Sequence, residues 1–421
     1  MNNQGIKRFW DDYYKETSRD TVKHILIITR DYIWLPFWSI IWLPIFIISY
    51  FLIFAPLGNL ISLFRLKNGK KPRIVWGCWA SPCLGYQIKA DIKAGYNSQS
   101  IIWYPAYFNQ NWEVGWLWSK IIYIGRYFVL PRYIVFLWSL LRYDIFQYYF
   151  NQHQLSDTII EYFELKLLKI AGKRIMLSIY GSDAFIRGMK ALDGQDLIDI
   201  LKLDYPRILE VEDKVKTNLK IGSKYADYIY GCPPHIDIMP RVDYVKNPIC
   251  IDVTEWENIK ANNNKIVKIA HLSNHRNIKG TKYIIDTCDQ LNSTSFVVEL
   301  DVIEKASREE AKRRLSEADI FVDQLIIGVY GMAAVEAMAL GKPVISYLRE
   351  DISSFDGFKE WKGCPIVVAD PNTIYDQLLK LITNPSLRKE LGIKGRNYVE
   401  KRHSIDAISK SNSDNYKMIW V

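Results

Sequence analysis

From Tyr32 to Phe64 the chain reads YIWLPFWSIIWLPIFIISYFLIFAPLGNLISLF, 33 residues without one charged side chain. About 20 apolar residues suffice to cross a bilayer. A buried helical pair inside a soluble core is the competing reading, and so long a run without a charge argues against it. Residues 1–31 are polar and mixed in charge, and no small-residue cleavage site follows the run, so it is not read as an ordinary signal peptide. Pro36, Pro44 and Pro56 interrupt it. Proline kinks helices, which leaves two readings open: a single span, or a bent hairpin that enters and leaves on one side. Lys23 and Arg30 precede the run, and Arg65, Lys67, Lys70, Lys71 and Arg73 follow it. With cations on both flanks, the positive-inside rule gives no clean orientation.

A second stretch, Val114 to Arg142, interleaves Lys120, Arg126, Arg132 and Arg142 with Trp116, Trp118, Tyr123, Tyr127, Tyr133 and Trp138, and holds no acid. Long basic side chains over an aromatic body suit a headgroup interface; core helices with exposed arginines are the alternative. The rest is globular in composition, with 49% apolar and 24% charged residues over 421 positions, which excludes disordered and collagen-like classes. The net charge of +9 and the 14 Trp, 27 Tyr and 17 Phe fit a nucleic acid or an anionic membrane. The basic residues lie beside apolar runs and no nucleic-acid motif accompanies them, so no nucleic-acid partner is expected. The six cysteines are scattered without a CxxC pair. They read as structural thiols in a reducing compartment, with no zinc site.

After the hydrophobic run, apolar strands alternate with helices. Strands are expected at 72–79, 99–104, 143–150, 174–180 and 227–231, then at 265–272, 296–302, 319–324 and 343–347. Helices are expected at 165–171, 282–291, 308–317 and 330–339. The pattern argues an α/β fold with parallel sheets. A polar boundary near Asn247–Asn264 separates two such series.

Two segments carry chemistry. Gly328 to Ile345, GVYGMAAVEAMALGKPVI, is a glycine-containing loop, a short helix and a buried strand. A helix N-terminus at Tyr330, Gly331 and Met332 would hold a phosphate, and Glu336, a turn further on, would accept hydrogen bonds from sugar hydroxyls. The second segment is His271 to Gly280, HLSNHRNIKG. There Arg276 and Lys279 converge at a helix start, where charge and the macrodipole would clamp a diphosphate.

Lys279-Gly280 followed by Glu336-Ala-Met-Ala-Leu-Gly-Lys-Pro-Val-Ile resembles the GT-B glycosyltransferases, specifically the retaining, nucleotide-sugar-dependent glycosyltransferase family four. The likeness covers roughly residues 72–403. Tyr180-Gly-Ser-Asp183, Lys224-Tyr-Ala-Asp227 and Asn247-Pro-Ile249 are weaker matches to the same group. The resemblance implies two Rossmann-like domains, the C-terminal one binding the donor and the N-terminal one the acceptor. It assigns the donor diphosphate to Arg276 and Lys279 with Gly280, the loop contacts to Tyr330, Gly331 and Met332, and the ribose to Glu336. It sets Gly85, Ser182 and Asp183 on the acceptor side and counts Asp183 with Arg276 and Lys279 as catalytic.

Two positions depart from the family. A first Glu eight residues before Glu336 would fall on Gly328, and the His of His-Gly-Ser-Asp is Tyr180. Asp323 and Gln324 are the nearby substitutes for the missing carboxylate. No Asp-x-Asp metal motif stands in a suitable setting, so neither metal nor cofactor is expected.

The expected organisation is a polar segment (1–31), a hydrophobic membrane segment (32–70), an acceptor domain (71–250), a donor domain (251–403) and a tail (404–421) whose crossing back is left open. The expected function is membrane-associated transfer of a sugar from a nucleotide sugar to a lipid-linked or cell-envelope glycan. The enzyme would retain anomeric configuration and work at the cytoplasmic face of the cell membrane. A non-hydrolysing nucleotide-sugar epimerase and a catalytically inactive membrane-bound GT-B scaffold are the alternatives.

Overall fold

The computed structural model describes residues 34–79, 81–104, 129–179, 181, 184–206, 208–257, 266–357 and 363–421. In chain order the first elements are α1 (Leu35–Ser49), a π-helical turn (Tyr50–Phe54), α2 (Ala55–Lys67), β1 (Arg73–Trp79), α3 (Leu84–Lys93), β2 (Asn97–Tyr104), α4 (Val129–Arg142) and β3 (Ile145–Tyr149). Then come α5 (Glu164–Ile170), β4 (Arg174–Ser178), α6 (Leu197–Asp204), α7 (Glu212–Tyr225), β5 (Tyr228–Gly231) and β6 (Tyr244–Val245). The remainder is β7 (Val267–Leu272), α8 (Arg276–Lys279), α9 (Thr281–Asn292), β8 (Val298–Ile303), α10 (Arg308–Glu317), β9 (Ile320–Val322), α11 (Met332–Ala339), β10 (Val344–Ser346), β11 (Val367–Val368), α12 (Ile374–Thr383), α13 (Pro385–Arg402) and α14 (Ile405–Ile419).

Two sheets result, of order β2-β1-β3-β4-β5-β6 and β11-β10-β9-β7-β8. β1 pairs in parallel with β2 and β3, and β7 in parallel with β8 and β9. The fold is α/β with two parallel sheets, as the alternating apolar pattern requires. The chain divides into two compact units. The first comprises Met1–Leu177, Ile221–Tyr228 and Ser413–Val421, and the second Ser178–Lys220 and Ile229–Asn412.

In the first unit the charge-free run is helical throughout its described part. Pro44 lies inside α1 and Pro56 follows the π turn, and neither breaks the helix. The helix spans Phe37–Lys67, 31 residues of mean hydropathy 2.4, long and apolar enough to cross a membrane. Its C-terminal part is joined to the rest of the unit by a buried ionic cluster. Asp144, fully buried, accepts from Ser62 Oγ (2.8 Å), from Arg65 Nε (3.1 Å) and from Arg73 Nε and Nη2 (both 3.0 Å). Burial works against its charge, but the Arg73 guanidinium more than offsets this and holds the carboxyl below its ordinary value. Lys173, also fully buried, donates to Gly58 O (2.9 Å) and Ser62 Oγ (2.8 Å). Burial pushes its ammonium down to about 7, against the pull of Asp144.

α4 departs from the reading of Val114–Arg142 as a headgroup-facing stretch. Arg132 is fully buried, donates to Ser156 O, pairs with Asp157 and lies 5.5 Å from the Trp103 ring centroid. A guanidinium with internal acceptors is a core group, not an interfacial one. Residues 114–128 of that stretch, with Lys120 and Arg126, lie outside the described residues.

The second unit packs its core between β7, β9 and β10 and the helices α9 and α12, through Ile269, Val322, Ile345, Ile284, Leu291 and Leu378. This core fixes the ends of β7 and β9, from which the candidate site is built.

Candidate active site

β7 ends in His271, which is fully buried. Its Nδ1 lies 2.8 Å from the Val322 carbonyl and its Nε2 2.8 Å from Thr281 Oγ1. A carbonyl only accepts, so Nδ1 carries the proton and Nε2 accepts from the hydroxyl. Burial pushes the imidazole down to about 4, and Lys279 adds to the effect. His271 is therefore a neutral bolt joining β7, β9 and the start of α9.

Lys279 closes α8, and Gly280 separates it from α9. The Lys279 ammonium donates to Leu272 O (3.0 Å) and to Asp323 Oδ1 (2.9 Å). Asp323 follows β9, is fully buried, and through Oδ2 accepts the Gly331 N–H at 2.6 Å. Gly331 is the N-cap of α11. One carboxylate thus ties the lysine to the helix start, and two of the ammonium's three protons are committed inside the protein.

Arg276 is exposed and forms a two-pronged pair with Glu304 (2.7 and 2.8 Å). That pair keeps the guanidinium charged and lowers the Glu304 carboxyl. The helix expected to open at Thr281 is present as α9, with Gly280 as its N-cap, and a one-turn helix, α8, precedes it. At α8, Asp204 already accepts from Ile278 N (2.8 Å) and Asn277 N (3.4 Å). So short a helix carries little macrodipole. The α11 start is linked to Lys279 through Asp323.

Tyr330 contributes backbone rather than side chain. Its carbonyl accepts from Asn247 Nδ2 (2.8 Å). Its hydroxyl lies 3.0 Å from His403 Nε2 and 3.1 Å from Tyr398 Oη, and His403 Nδ1 donates to Ile249 O (3.0 Å). Met332 opens α11. Glu336 stands on the same helix, partly buried, among Arg308, Lys279, Lys312 and Glu255. Burial raises its carboxyl to about 7, while Arg308 pulls it down and Glu255 pushes it up. Arg308 pairs with Glu255 (3.0 Å), and both Arg308 and Lys312 lie over the Trp256 ring. Trp256, Arg308 and Lys312 went unread in the sequence. Their only signal is two cations four apart at the head of the helix after β8.

Gly328, where the resemblance expects a Glu, has φ +74°, and a Cβ there would sit 2.4 Å from Arg349 Cγ. Arg349 is held by Asp237 (2.6 and 3.0 Å) and Asp351 (2.6 and 2.9 Å). A side chain at 328 is excluded twice, by the left-handed backbone and by this arginine stem. Both suggested substitutes already have partners. Asp323 serves Lys279 and Gly331, and Gln324 donates to Val329 O.

On the proposed acceptor side, Ser182 and Asp183, with Tyr180, lie outside the described residues. Gly85 lies in α3, in the first unit. Gly181 is described, and its carbonyl accepts from His235 Nε2 at 3.0 Å. His235 stacks on Phe185 and is held by burial near 4. Among the described residues no three His, Cys, Asp or Glu side chains group as metal ligands.

Residues 298–398 match the family model described as "Glycosyl transferases group 1". No curated protein sequence matches the chain. Among solved structures, it is similar to the N-terminal domain of trehalose-6-phosphate phosphatase from Candida albicans (10% identity, 83% of this chain and 97% of that one, TM-score 0.54). It is also similar to the catalytic domain of starch synthase IV from Arabidopsis thaliana bound to ADP and acarbose (10%, 83% and 100%, TM-score 0.50). A third is HepE of Anabaena in complex with UDP-glucose (10%, 82% and 100%, TM-score 0.49). At these identities the likeness is one of fold.

Proposed function

We propose that this chain, a GT-B glycosyltransferase carrying a glycosyl transferases group 1 domain, moves a sugar from a nucleotide sugar to a lipid-linked or cell-envelope glycan, with retention, at the cytoplasmic face of the membrane. The observation that carries the donor half is the Lys279–Asp323–Gly331 linkage, which sets a cation against the start of α11, with Glu336 a turn further on. The starch synthase of similar fold is bound to ADP, in keeping with a nucleoside diphosphate as the leaving group. In this reading the diphosphate lies between Lys279, Arg276 and the first-turn amides of α11 at Met332, and Glu336 accepts from the ribose hydroxyls. The sugar C1–O bond to the diphosphate breaks, the acceptor oxygen bonds to C1 on the same face, and the departing phosphate takes the acceptor proton. The protein's work is then electrostatic, namely stabilising charge on the leaving group, and it needs neither metal nor cofactor. Asp183 and Ser182 are assigned to the acceptor together with Gly85.

The apolar helix supports the membrane half: a lipid-linked acceptor would arrive laterally, in the leaflet that the helix binds. The test is to incubate the full chain in anionic vesicles with a panel of nucleotide sugars and a lipid-linked acceptor. Acceptor-dependent release of nucleoside diphosphate is expected. Conversion of the donor to its epimer without an acceptor would overturn the reading in favour of an epimerase.

A further inference from the structure

We infer that the apolar helix does not cross the bilayer but lies lengthwise in one anionic leaflet, with one side fixed to the first unit and the other in lipid. This rests on the membrane reading above and adds which face is bound and how. The helix buries Ser39, Phe46, Tyr50, Ala55, Gly58 and Ser62. Their spacings of 7, 4, 5, 3 and 4 follow one helical stripe, and the interval of five falls on the π-helical turn Tyr50–Phe54, which takes up the extra residue. Each part of the stripe has a partner within the unit. Phe46 meets Tyr133 at 4.5 Å and Phe136 at 6.0 Å. Tyr50 Oη donates to Leu167 O at 2.6 Å. Gly58 sits so close to α4 that a Cβ would come within 2.6 Å of Leu140 O, and Gly58 and Ser62 both receive Lys173.

This docking argues against a span. A 31-residue helix is about 46 Å long, against about 30 Å of hydrocarbon. Attached to the unit from Ser39 to Ser62, it would carry α4, α5 and the Asp144–Lys173 cluster into the bilayer with it. Lying in the plane, it needs no such burial of charge. The opposite side is wholly apolar and exposed, through Ile41, Ile48, Leu52 (75% exposed), Leu60 and Phe64. Ile134 of α4, Phe163 at the N-cap of α5 and Ile170 of α5 add exposed apolar surface on neighbouring elements.

Charge selects the occupant. No acid occurs from Tyr32 to Ala90, whereas Arg65, Lys67, Lys70 and Lys71 follow the apolar run. Lys70 reaches 5.7 Å from the Phe64 ring, at the border of the apolar side. Arg65 is engaged by Asp144 and Lys71 by the Ala94 carbonyl, but an apolar strip bordered by the exposed Lys67 and Lys70 fits anionic headgroups above acyl chains. A second copy would instead bring a like-charged border.

The experiment uses the full chain and vesicles of phosphatidylglycerol and phosphatidylethanolamine. Flotation tests membrane binding as such. A fluorescent amino acid placed singly at Ile41, Leu52 or Phe64 then reports depth through quenching by lipids brominated near the headgroup or near the acyl terminus. All three positions should quench most strongly with shallow bromines, and to the same extent when only the outer leaflet is brominated. Ile41 and Phe64 near opposite surfaces, with Leu52 at the centre, would overturn the inference while leaving membrane binding intact. Failure to float would sink the membrane reading itself. Blue-shifted fluorescence without lipid would point to a second copy and overturn the proposal. The variant Leu52→Glu/Leu60→Glu alters only exposed positions, so it should keep its circular dichroism and lose at least tenfold in vesicle affinity; unchanged affinity would also refute the inference.

Discussion

The bond between Lys279 and Asp323 makes a quantitative prediction. The carboxylate is fully buried, the lysine side chain is 19% exposed, and the two groups meet at 2.9 Å, with the Gly331 N–H on the other oxygen. Lys279→Met removes the counter-charge and leaves a buried carboxylate with one internal donor. Breaking a buried pair in this way costs about 3–5 kcal/mol, and the lysine's partial exposure puts this case near about 3 kcal/mol. Asp323→Asn keeps the shape but turns an amide NH₂ toward either Lys279 or Gly331, which leaves a donor facing a donor, at about 2 kcal/mol. If the two groups were independent, the double variant would lose about 5 kcal/mol. Because the second substitution removes the charge that the first exposes, it should lose no more than about 3 kcal/mol. At about 2–4 °C per kcal/mol for a unit of this size, the double variant should melt about 6–12 °C below wild type rather than about 10–20 °C. Turnover should fall roughly 100-fold in every variant lacking Lys279, as about 3 kcal/mol of leaving-group stabilisation requires. Thermal melts and steady-state kinetics of the four proteins decide it. Additive melting losses would refute the coupling, and wild-type turnover in Lys279→Met would refute the donor role.

Arg276→Ala should cost less than Lys279→Met, about tenfold in turnover, because the guanidinium is exposed and already paired with Glu304; an equal or larger loss in parallel assays would mean that the pair opens on binding. Glu336→Gln should weaken donor binding while sparing kcat, since one acceptor oxygen remains; normal binding with abolished turnover would exclude the ribose role. The Glu336 carboxyl sits at about 7, above its ordinary 4.5, so between those values the folded chain holds a proton that the unfolded chain does not. Stability should therefore fall as pH rises from about 4.5 to 7, and Glu336→Gln should flatten that slope and stabilise the chain by about 2 kcal/mol at pH 8, as melts across pH will tell. Gly328→Glu, which would restore the family carboxylate, should lower the melting temperature and not raise turnover, because φ +74° and the Arg349 stem exclude it.

Much of this architecture is legible in the residues. β1, β7 and β10 stand where apolar runs predicted strands, and α10 at the expected bounds, because local burial patterns suffice there. The Gly328–Ile345 loop, helix and strand were likewise readable from punctuation by glycine and proline. What escaped depends on pairs distant in sequence. Asp323 lies 44 residues from Lys279, and nothing local says that a carboxylate after β9 will hold both the lysine and the α11 cap. Ser62 is 82 residues from Asp144 and 111 from Lys173; hydropathy reported an apolar helix but not the stripe by which it is docked. Arg132 misled for the same reason, since its acceptor on Ser156 and its ring on Trp103 appear only once the sheet is formed.

The most direct measurement is NMR of the glycoside formed when the full chain, in anionic vesicles, is given an α-linked nucleotide sugar and a lipid-linked acceptor. An α-configured product formed in step with nucleoside diphosphate release, and lost in Lys279→Met, is the expected result. A β-configured product, or product formed at the wild-type rate without Lys279, would contradict a retaining transfer driven by leaving-group stabilisation at the start of α11.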